Sequence, residues 1–240
     1  MADNVNTRNY WERRFSSGDW EAKRGSWQTQ SFARGQIPFI HLKKDFKGTL
    51  LDFGCGLGDA MPVYKERYPK ATLIGVDISQ AAINICSERY GSFASFIQGD
   101  FSSVPRADVI ITSNVLEHLD GDRKIASHLL SRSGHLYVIT PYKENPLTSE
   151  HVRTYDEHYF KDVGDCSYKV FPCVGWSQFG MNDLWYQARI KNIARFFLRR
   201  RLIRRNMQIL FHFVNAAKAI EPESESEANN RDFQSSTVLQ

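Results

Sequence analysis

The chain has 240 residues, of which 42% are hydrophobic and 24% are charged, and its formal net charge is +4. These values are typical of a soluble globular protein and exclude wholesale disorder and a membrane-embedded fold. The length suits one α/β domain, and no apolar run approaches the roughly 20 residues that span a bilayer. Because the N-terminal residues are polar, unlike the apolar core of a signal peptide, we expect a cytoplasmic protein.

The N-terminal segment is unusually aromatic for a surface arm. Its aromatic residues are Tyr10, Trp11, Phe15, Trp20, Trp27 and Phe32. Exposed aromatic side chains need an apolar target, so we predict that residues 1–40 form a helical arm on the domain that follows.

From about residue 49 to 140, short β-branched runs alternate with amphipathic stretches, which predicts a parallel sheet wrapped by helices. The predicted strands are 49–53, 71–76, 93–98, 107–113 and 134–140. The stretch 79–90 predicts a helix that begins after Ser79 as N-cap. Four residues with helical spacing would form the side of this helix that faces the sheet: Ala82, Ile83, Cys86 and Tyr90.

Beyond residue 140 the pattern predicts a short helix at 155–162, a strand at 167–175, a basic helical segment near 183–205 and a last strand at 207–214. The two late strands suit an antiparallel hairpin at the sheet edge. The predicted fold class is therefore α/β, with a Rossmann-like seven-stranded sheet, mostly parallel, and helices on both faces. Residues 41–220 would form this domain, and the polar, acidic residues 221–240 a disordered tail.

Three glycines follow the first strand, at 54, 56 and 58. They allow a sharp turn and a close approach of the backbone to a ligand. A dinucleotide fingerprint would place its third glycine at position 59, which is Asp59, and no Gly-Lys-Ser/Thr ending follows to form a phosphate-binding loop. The spacing disfavours both NAD and nucleoside triphosphates.

Carboxylates come at the ends of the first three strands, as Asp52, Asp77 and Asp100. Parallel strands end at one edge of a sheet, where ligands bind in such folds. We therefore expect these carboxylates to converge on one cleft. They suit a ligand with ribose hydroxyls and a cationic amino-acid end but no phosphate.

Five segments, LLDFGCGLGDA, IGVDIS, FIQGDF, ADVIITSNVLEHL and GHLYVITPY, resemble the ordered motifs of class I S-adenosylmethionine-dependent methyltransferases over about residues 10–160. The resemblance implies S-adenosyl-L-methionine as cofactor and S-adenosyl-L-homocysteine as product. It implies that the methionine part lies against Asp52, Gly54, Cys55 and Gly56.

The same resemblance implies further cofactor contacts. Asp77 would hold the ribose, with Ile78 beside it, Asp100 and Phe101 would frame the adenine, and Asn114 would face the sulfonium. The N-terminal YWERRF resembles the lid of methyltransferases from bacterial surface-polysaccharide and natural-product pathways, which places Trp11 over the cofactor. A helix merely packed on the domain is the alternative.

For a hydroxyl acceptor, a neutral imidazole is the best-matched proton acceptor near pH 7. The candidate catalytic residues are His151, His118 and Tyr142. His151 lies in SEHVRTY, which resembles the E-H-x-R segment lining the acceptor side in small-molecule and glycan methyltransferases. The alternatives are a polar cluster of His151 with Glu150 and Arg153 and a loop-fixing role of His118 with Glu117.

Related quinone-pathway enzymes hold a divalent metal through an acidic residue, a glutamate and a histidine. This chain has Asn114, Glu117 and His118 at those positions. Because hard cations favour oxygen anions and one carboxylate is missing, we expect no metal.

Residues 189–205 are rich in arginine and contain no acid. Such a segment suits peripheral contact with an anionic membrane or a lipid- or nucleotide-linked substrate, and a packed amphipathic helix is the alternative. The predicted function is O-methylation of a small molecule or glycan. A non-catalytic cofactor-binding module and a nucleic-acid methyltransferase using 189–205 stay open as alternatives, although nucleic acid is not the expected partner.

Overall fold

A computed structural model describes residues 6–173, 191–200 and 206–215. Three helices precede the sheet: α1 (Arg8–Ser16), α2 (Asp19–Ala22) and α3 (Gly25–Gln36). The first strands and their helices follow as β1 (Thr49–Phe53), α4 (Met61–Arg67), β2 (Thr72–Asp77), α5 (Gln80–Tyr90) and β3 (Ala94–Gln98). The remaining elements are β4 (Ala107–Ser113), α6 (Asp122–Arg132), β5 (Ser133–Pro141), β6 (Cys166–Pro172) and β7 (Met207–Val214). Residues 191–197 are helical as well.

The strands formed by the described residues make one seven-stranded sheet in the order β3-β2-β1-β4-β5-β7-β6. The strands from β1 to β5 pair in parallel, while β7 runs antiparallel to both β5 and β6. The predicted fold class is confirmed, including the antiparallel hairpin at the edge.

Helices cover both faces of the sheet because successive strand residues point to opposite sides. On β1, Leu50 packs in a buried cluster with residues of α3 and α4. The next residue, Leu51, packs in a second cluster with Ile125 and Leu129 of α6. Both leucines are fully buried, as expected for a central parallel strand.

Helix α5 matches the predicted helix closely. The Ser79 hydroxyl accepts a hydrogen bond from the backbone N–H of Ala82 at 3.1 Å, so Ser79 is the N-cap. Ala82, Ile83 and Cys86 are buried on the face that packs on the sheet. The four cysteines are free thiols.

The predicted helix at 155–162 is wrong: these residues form turns, and Tyr155 makes an isolated bridge with Tyr142. The carboxylate of Asp156 accepts a hydrogen bond from the backbone N–H of His158 at 3.0 Å, which competes with helical pairing. Tyr155 and Phe160 bury their rings completely against the domain instead of facing one side of a helix.

Several predictions fall partly or wholly outside the described residues. They are the end of the 167–175 strand, most of the basic segment 183–205 and the tail 221–240. Within the described ranges, no helix has the length and apolar character needed to cross a bilayer.

Two imidazoles lie side by side on β5 and β7, away from the glycine loop. The Nδ1 of His135 and the Nε2 of His212 are 3.0 Å apart, and the His212 ring stacks on Tyr137 with centroids 4.3 Å apart. Burial, together with the charges of His135 and His41, lowers the pKa of His212 to about 4.

We expect His212 to make stability fall as pH drops from about 6.5, the usual pKa in the unfolded chain, toward 4, because the unfolded chain then binds more protons. Allowing for partial solvent exposure, the loss in the free energy of unfolding between pH 7 and pH 5 is about 1 kcal/mol. Urea denaturation at both pH values should show that His212→Gln loses less free energy of unfolding between pH 7 and pH 5 than wild type does. The exposed His158→Gln should lose as much as wild type. Equal losses in wild type and His212→Gln would contradict this role.

Candidate functional site

The loop after β1 turns back sharply over the ends of β1 and β2. Gly54, Gly56 and Gly58 all have positive φ, at 77°, 53° and 73°. A Cβ on Gly54 would lie 2.4 Å from Cγ2 of Val115, so this position excludes any other residue on packing as well as on backbone grounds. Gly56 has more space beside it, since a Cβ there would meet its nearest neighbour, Cζ of Phe15, at 3.4 Å.

The carboxylate of Asp77 joins this loop to the start of α5. Its Oδ2 accepts a hydrogen bond from Gly56 N and its Oδ1 accepts one from Ser79 N, both at 2.9 Å. Burial raises the pKa of Asp77 although these hydrogen bonds oppose the shift. Each oxygen still has a second lone pair, so the carboxylate can accept further hydrogen bonds from a ligand.

Asp52 lies beside Asp77 and is itself buried. Burial and the neighbouring charge of Asp77 raise the pKa of Asp52 to about 7. Two adjacent buried carboxylates repel each other, and a ligand that carries positive charge relieves this repulsion. The electrostatics at the ends of β1 and β2 therefore favour a cation.

One cavity of about 1300 Å³ extends from the glycine loop to the segment after β5. Each site residue that we predicted from the sequence lies on its wall: Trp11, Asp52, Gly54, Cys55, Gly56, Asp77, Ile78, Asp100, Phe101, Asn114, His118, Tyr142 and His151. The three strand-end carboxylates thus share one cavity. Asp100 differs from the other two because it is exposed, and its carboxylate accepts hydrogen bonds from the N–H and hydroxyl of Ser102.

Helix α1 lies across this cavity and contacts both of its halves. On the glycine-loop side, the Glu12 carboxylate accepts hydrogen bonds from the Ser79 hydroxyl at 2.7 Å and from Ala81 N at 3.0 Å. On the other side, the Tyr10 hydroxyl donates to the Glu150 carboxylate, and Arg14 pairs with the same carboxylate at 2.9 Å. Helix α1 thus contacts residues at both ends of the cavity.

Asn114, directly after β4, has a left-handed backbone with φ of 56°. Its Oδ1 accepts a hydrogen bond from Nε2 of Gln208 on β7 at 2.9 Å, and its Nδ2 donates to Ser113 Oγ at 3.2 Å. Gln36, at the end of α3, donates from Nε2 to the same Ser113 Oγ at 2.8 Å. The neighbouring Ser113 and the distant Gln208 therefore hold the Asn114 amide, and Gln36 contacts Ser113 in turn.

The far half of the cavity carries a buried polar cluster. His118 Nδ1 lies 3.1 Å from the carbonyl oxygen of Glu150, and His151 Nδ1 lies 2.5 Å from Oε2 of Glu144. Glu117 is completely buried, and burial raises its pKa to about 8. Burial, and then the charge of His151, lowers the pKa of His118 to about 4.

Other residues near this half of the cavity contact partners that the sequence did not suggest. Arg153 pairs with the buried Asp122. The Tyr142 hydroxyl donates to Oε1 of Glu157 at 2.5 Å, so that proton already has an acceptor. Tyr142 still lines the cavity with its ring.

Four polar residues of this site were missed by sequence reasoning: Glu12, Gln36, Glu144 and Gln208. Glu12 could have been suspected, since it lies inside the YWERRF motif next to Trp11. Gln36 and Gln208 carry no local signal, because their partners are far away in the chain, and Glu144 belongs to no motif although His151 follows seven residues later.

Residues 50–132 match a protein family described as "Methyltransferase domain". The chain is 30% identical over 97 residues to a malonyl-[acyl-carrier protein] O-methyltransferase of Halalkalibacterium halodurans. This match covers 37% of the chain and only 36% of that relative's length.

Solved structures share the fold at low sequence identity. The plantazolicin methyltransferase BpumL, in complex with SAH, has a TM-score of 0.55 at 15% identity, covering 88% of this chain and 96% of that one. The YcgJ protein from Bacillus subtilis has a TM-score of 0.56 at 16% identity, covering 79% of this chain and 99% of that one. A Haemonchus contortus phosphoethanolamine N-methyltransferase has a TM-score of 0.58 at 13% identity, covering 85% and 59%.

These likenesses agree with the geometry of the glycine loop and of the two buried carboxylates beside it. The family match spans the segment from β1 to α6, which contains Gly54, Gly56, Asp77 and Asn114. Residues 50–132 therefore match a methyltransferase domain, and the chain shares the fold of these solved structures.

Proposed function

We propose that the chain transfers a methyl group from S-adenosylmethionine to a hydroxyl oxygen of a small molecule or glycan. The observation that carries the proposal is the pair of buried carboxylates, Asp52 and Asp77, at the glycine loop of a matched methyltransferase domain. S-adenosylmethionine carries a sulfonium and an ammonium, and it has ribose hydroxyls whose hydrogen bonds a carboxylate can accept.

The proposed placement of the cofactor follows the wall of the cavity. Its methionine end would lie against Asp52 and the glycine loop, and its ribose against Asp77. The adenine would reach Phe101, and the sulfonium would face Asn114, whose amide is held by Gln208 at 2.9 Å. A fixed polar group beside the reacting centre supports methyl transfer because it orients the reactants before they react.

The far half of the cavity suits an acceptor with several hydroxyls. Its lining includes neutral hydrogen-bonding side chains, among them Thr148, Ser149 and Asn206. These groups can pair with sugar-like hydroxyls, whereas an acyl chain would leave them without partners. The O-methyltransferase name of the curated relative further supports oxygen as the methylated atom.

Methyl transfer to a hydroxyl releases one proton from the oxygen, and the polar cluster around His118 and His151 would take it up. The methyl moves from the sulfonium to the oxygen, which leaves neutral S-adenosylhomocysteine. The ring of Tyr142 would line the pocket that holds the acceptor. Helix α1 would exclude water from the reacting groups when it covers the cavity.

We expect Asp77→Ala to weaken S-adenosylmethionine binding about 10- to 100-fold, because hydrogen bonds to a charged group contribute roughly 1.5–3 kcal/mol. Isothermal titration calorimetry measures this directly. Asp45→Ala, at an exposed aspartate away from the cavity, is the matched control and should bind like wild type.

The absence of binding by wild type would contradict the proposal at its root. Binding without release of S-adenosylhomocysteine, over a panel of hydroxylated acceptors, would leave the non-catalytic binding module as the function.

The pKa of Asp52 predicts how cofactor affinity depends on pH. The pKa of about 7 in the free protein means that a proton must leave Asp52 before it can attract a cation. Affinity should therefore rise about 5- to 10-fold between pH 6 and pH 7.5. Titrations of Asp52→Asn should show weaker binding that no longer follows pH, and a pH dependence equal to that of wild type would contradict this assignment.

A second proposal is that the segment 191–200, which is helical at 191–197, contacts anionic membranes. Its apolar residues Ile193, Phe196, Phe197 and Leu198 are 62% to 77% exposed. Lys191, Arg195, Arg199 and Arg200 add positive charge. Exposed apolar rings flanked by cations suit the surface of an anionic bilayer.

Vesicle flotation tests this contact. The chain should float with vesicles of phosphatidylserine and phosphatidylcholine, but not with phosphatidylcholine alone, and less so at high salt. Phe196→Ser with Phe197→Ser should abolish flotation, while the exposed Leu147→Ser should not. Flotation that survives the double substitution would contradict the proposal.

A further inference from the structure

The polar cluster at the far end of the cavity has the geometry of a metal site. Glu117, His118 and His151 each offer a ligand atom, and the three atoms lie within 4.8 Å of one another. We propose that these three residues bind one divalent cation of the zinc class. This inference goes beyond methyl transfer, because cation binding requires neither cofactor nor acceptor.

The first support is the orientation of the two imidazoles. His118 Nδ1 is 3.1 Å from the Glu150 carbonyl, and His151 Nδ1 is 2.5 Å from the Glu144 carboxylate. When Nδ1 carries the proton for such a bond, Nε2 is the nitrogen with the lone pair. Metal-binding histidines nearly always show this arrangement, in which a carbonyl or carboxylate fixes the ring from behind.

The second support is the Glu117 carboxylate. Glu117 is 0% exposed, and within the described part of the chain neither of its oxygens has a hydrogen-bond partner. An ionised carboxylate buried in this way costs several kcal/mol unless it is paired or coordinates a metal. Its backbone is fixed, because its carbonyl accepts a hydrogen bond from Val152 N at 2.9 Å.

The nearby arginines contact other carboxylates. Arg14 pairs with Glu150 at 2.9 Å, and Arg153 pairs with Asp122. Glu117 and Glu144 thus lie together beside two imidazoles, and Glu144 Oε1 is likewise buried without a partner among the described residues. A divalent cation would stabilise the ionised form of the Glu117 carboxylate, which burial alone disfavours.

The donor set selects the kind of cation. Two imidazoles with one carboxylate suit zinc, cobalt or nickel, whereas magnesium and calcium prefer oxygen donors throughout. Around tetrahedral zinc the donors lie roughly 3.4 Å apart, so binding would draw the three side chains slightly together. Three protein ligands leave a fourth position, as in catalytic zinc sites.

Sequence reasoning predicted no metal because Asn114 replaces an expected carboxylate. Between residues 114 and 118, only Glu117 and His118 offer a carboxylate or an imidazole. The structure brings His151 to the cluster from a later segment, so the third donor is an imidazole and not a carboxylate.

One consequence rests on the proposed function. An acceptor oxygen at the fourth position would be oriented and made more acidic by the cation. With both imidazoles holding the cation, the Glu144 carboxylate would be the group that receives the proton of the acceptor hydroxyl.

The test is metal binding by the full chain without cofactor. After treatment with a chelator, equilibrium dialysis against Zn²⁺ with elemental analysis should give one equivalent per chain. Co²⁺ should give the visible absorption bands of a site with nitrogen and oxygen ligands. Glu117→Gln, His118→Asn and His151→Asn should each weaken binding at least 10-fold, and Glu144→Gln 10- to 100-fold through loss of support for His151.

The exposed His158→Asn is the matched control and should keep the full equivalent. Circular dichroism and S-adenosylmethionine titration of each variant show whether it is folded. Failure of wild type to bind an equivalent, or undiminished binding by folded Glu117→Gln and His151→Asn, would overturn the inference. Because the metal is measured without cofactor, a chain that binds Zn²⁺ but not S-adenosylmethionine would refute only the proposed function.

Discussion

The Asp77 carboxylate accepts one hydrogen bond from the glycine loop at Gly56 and one from the start of α5 at Ser79, each at 2.9 Å. These bonds hold the loop against the end of β2 and leave Ser79 oriented for its own contacts. Ser79 donates its hydroxyl proton to Glu12 of α1 at 2.7 Å and caps α5 at Ala82. The shape of the cofactor half of the cavity therefore depends on one buried carboxylate.

Helix α1 links the residues around Asp77 to the other half of the cavity, where the histidines lie. Glu12 is tied to the start of α5, while Tyr10 and Arg14 contact Glu150, one residue before His151. Because the Glu150 carbonyl also holds the His118 ring at 3.1 Å, one short helix touches both the glycine loop side and the histidine cluster. A ligand that displaced α1 would break contacts in both halves of the cavity.

The fold was largely predictable because its signals are local. Buried β-branched runs indicate β1 to β5. Ser79 as N-cap and the helical spacing of the apolar residues after it indicate α5. The 155–162 segment was mispredicted because the Asp156 carboxylate accepts a hydrogen bond from the backbone N–H of His158, while Tyr155 and Phe160 bury against the domain. The position of cofactor-side residues such as Asp52, Asp77 and Gly56 on one cavity was also predictable, since parallel strands end at one edge.

The sequence by itself determined the α/β class, the strand-end carboxylates, the three glycines and the match of motifs to a methyltransferase domain, because each depends on neighbouring residues or on strand order alone. Only the tertiary structure decided which polar groups meet. No periodic spacing in the sequence indicates which of these side chains pair. The pairs are Glu144 with His151, Glu12 with Ser79, and Gln208 with Asn114. The burial that leaves Glu117 without a hydrogen-bond partner within the described residues is likewise a property of packing, because a side chain loses water only when distant parts of the chain close around it.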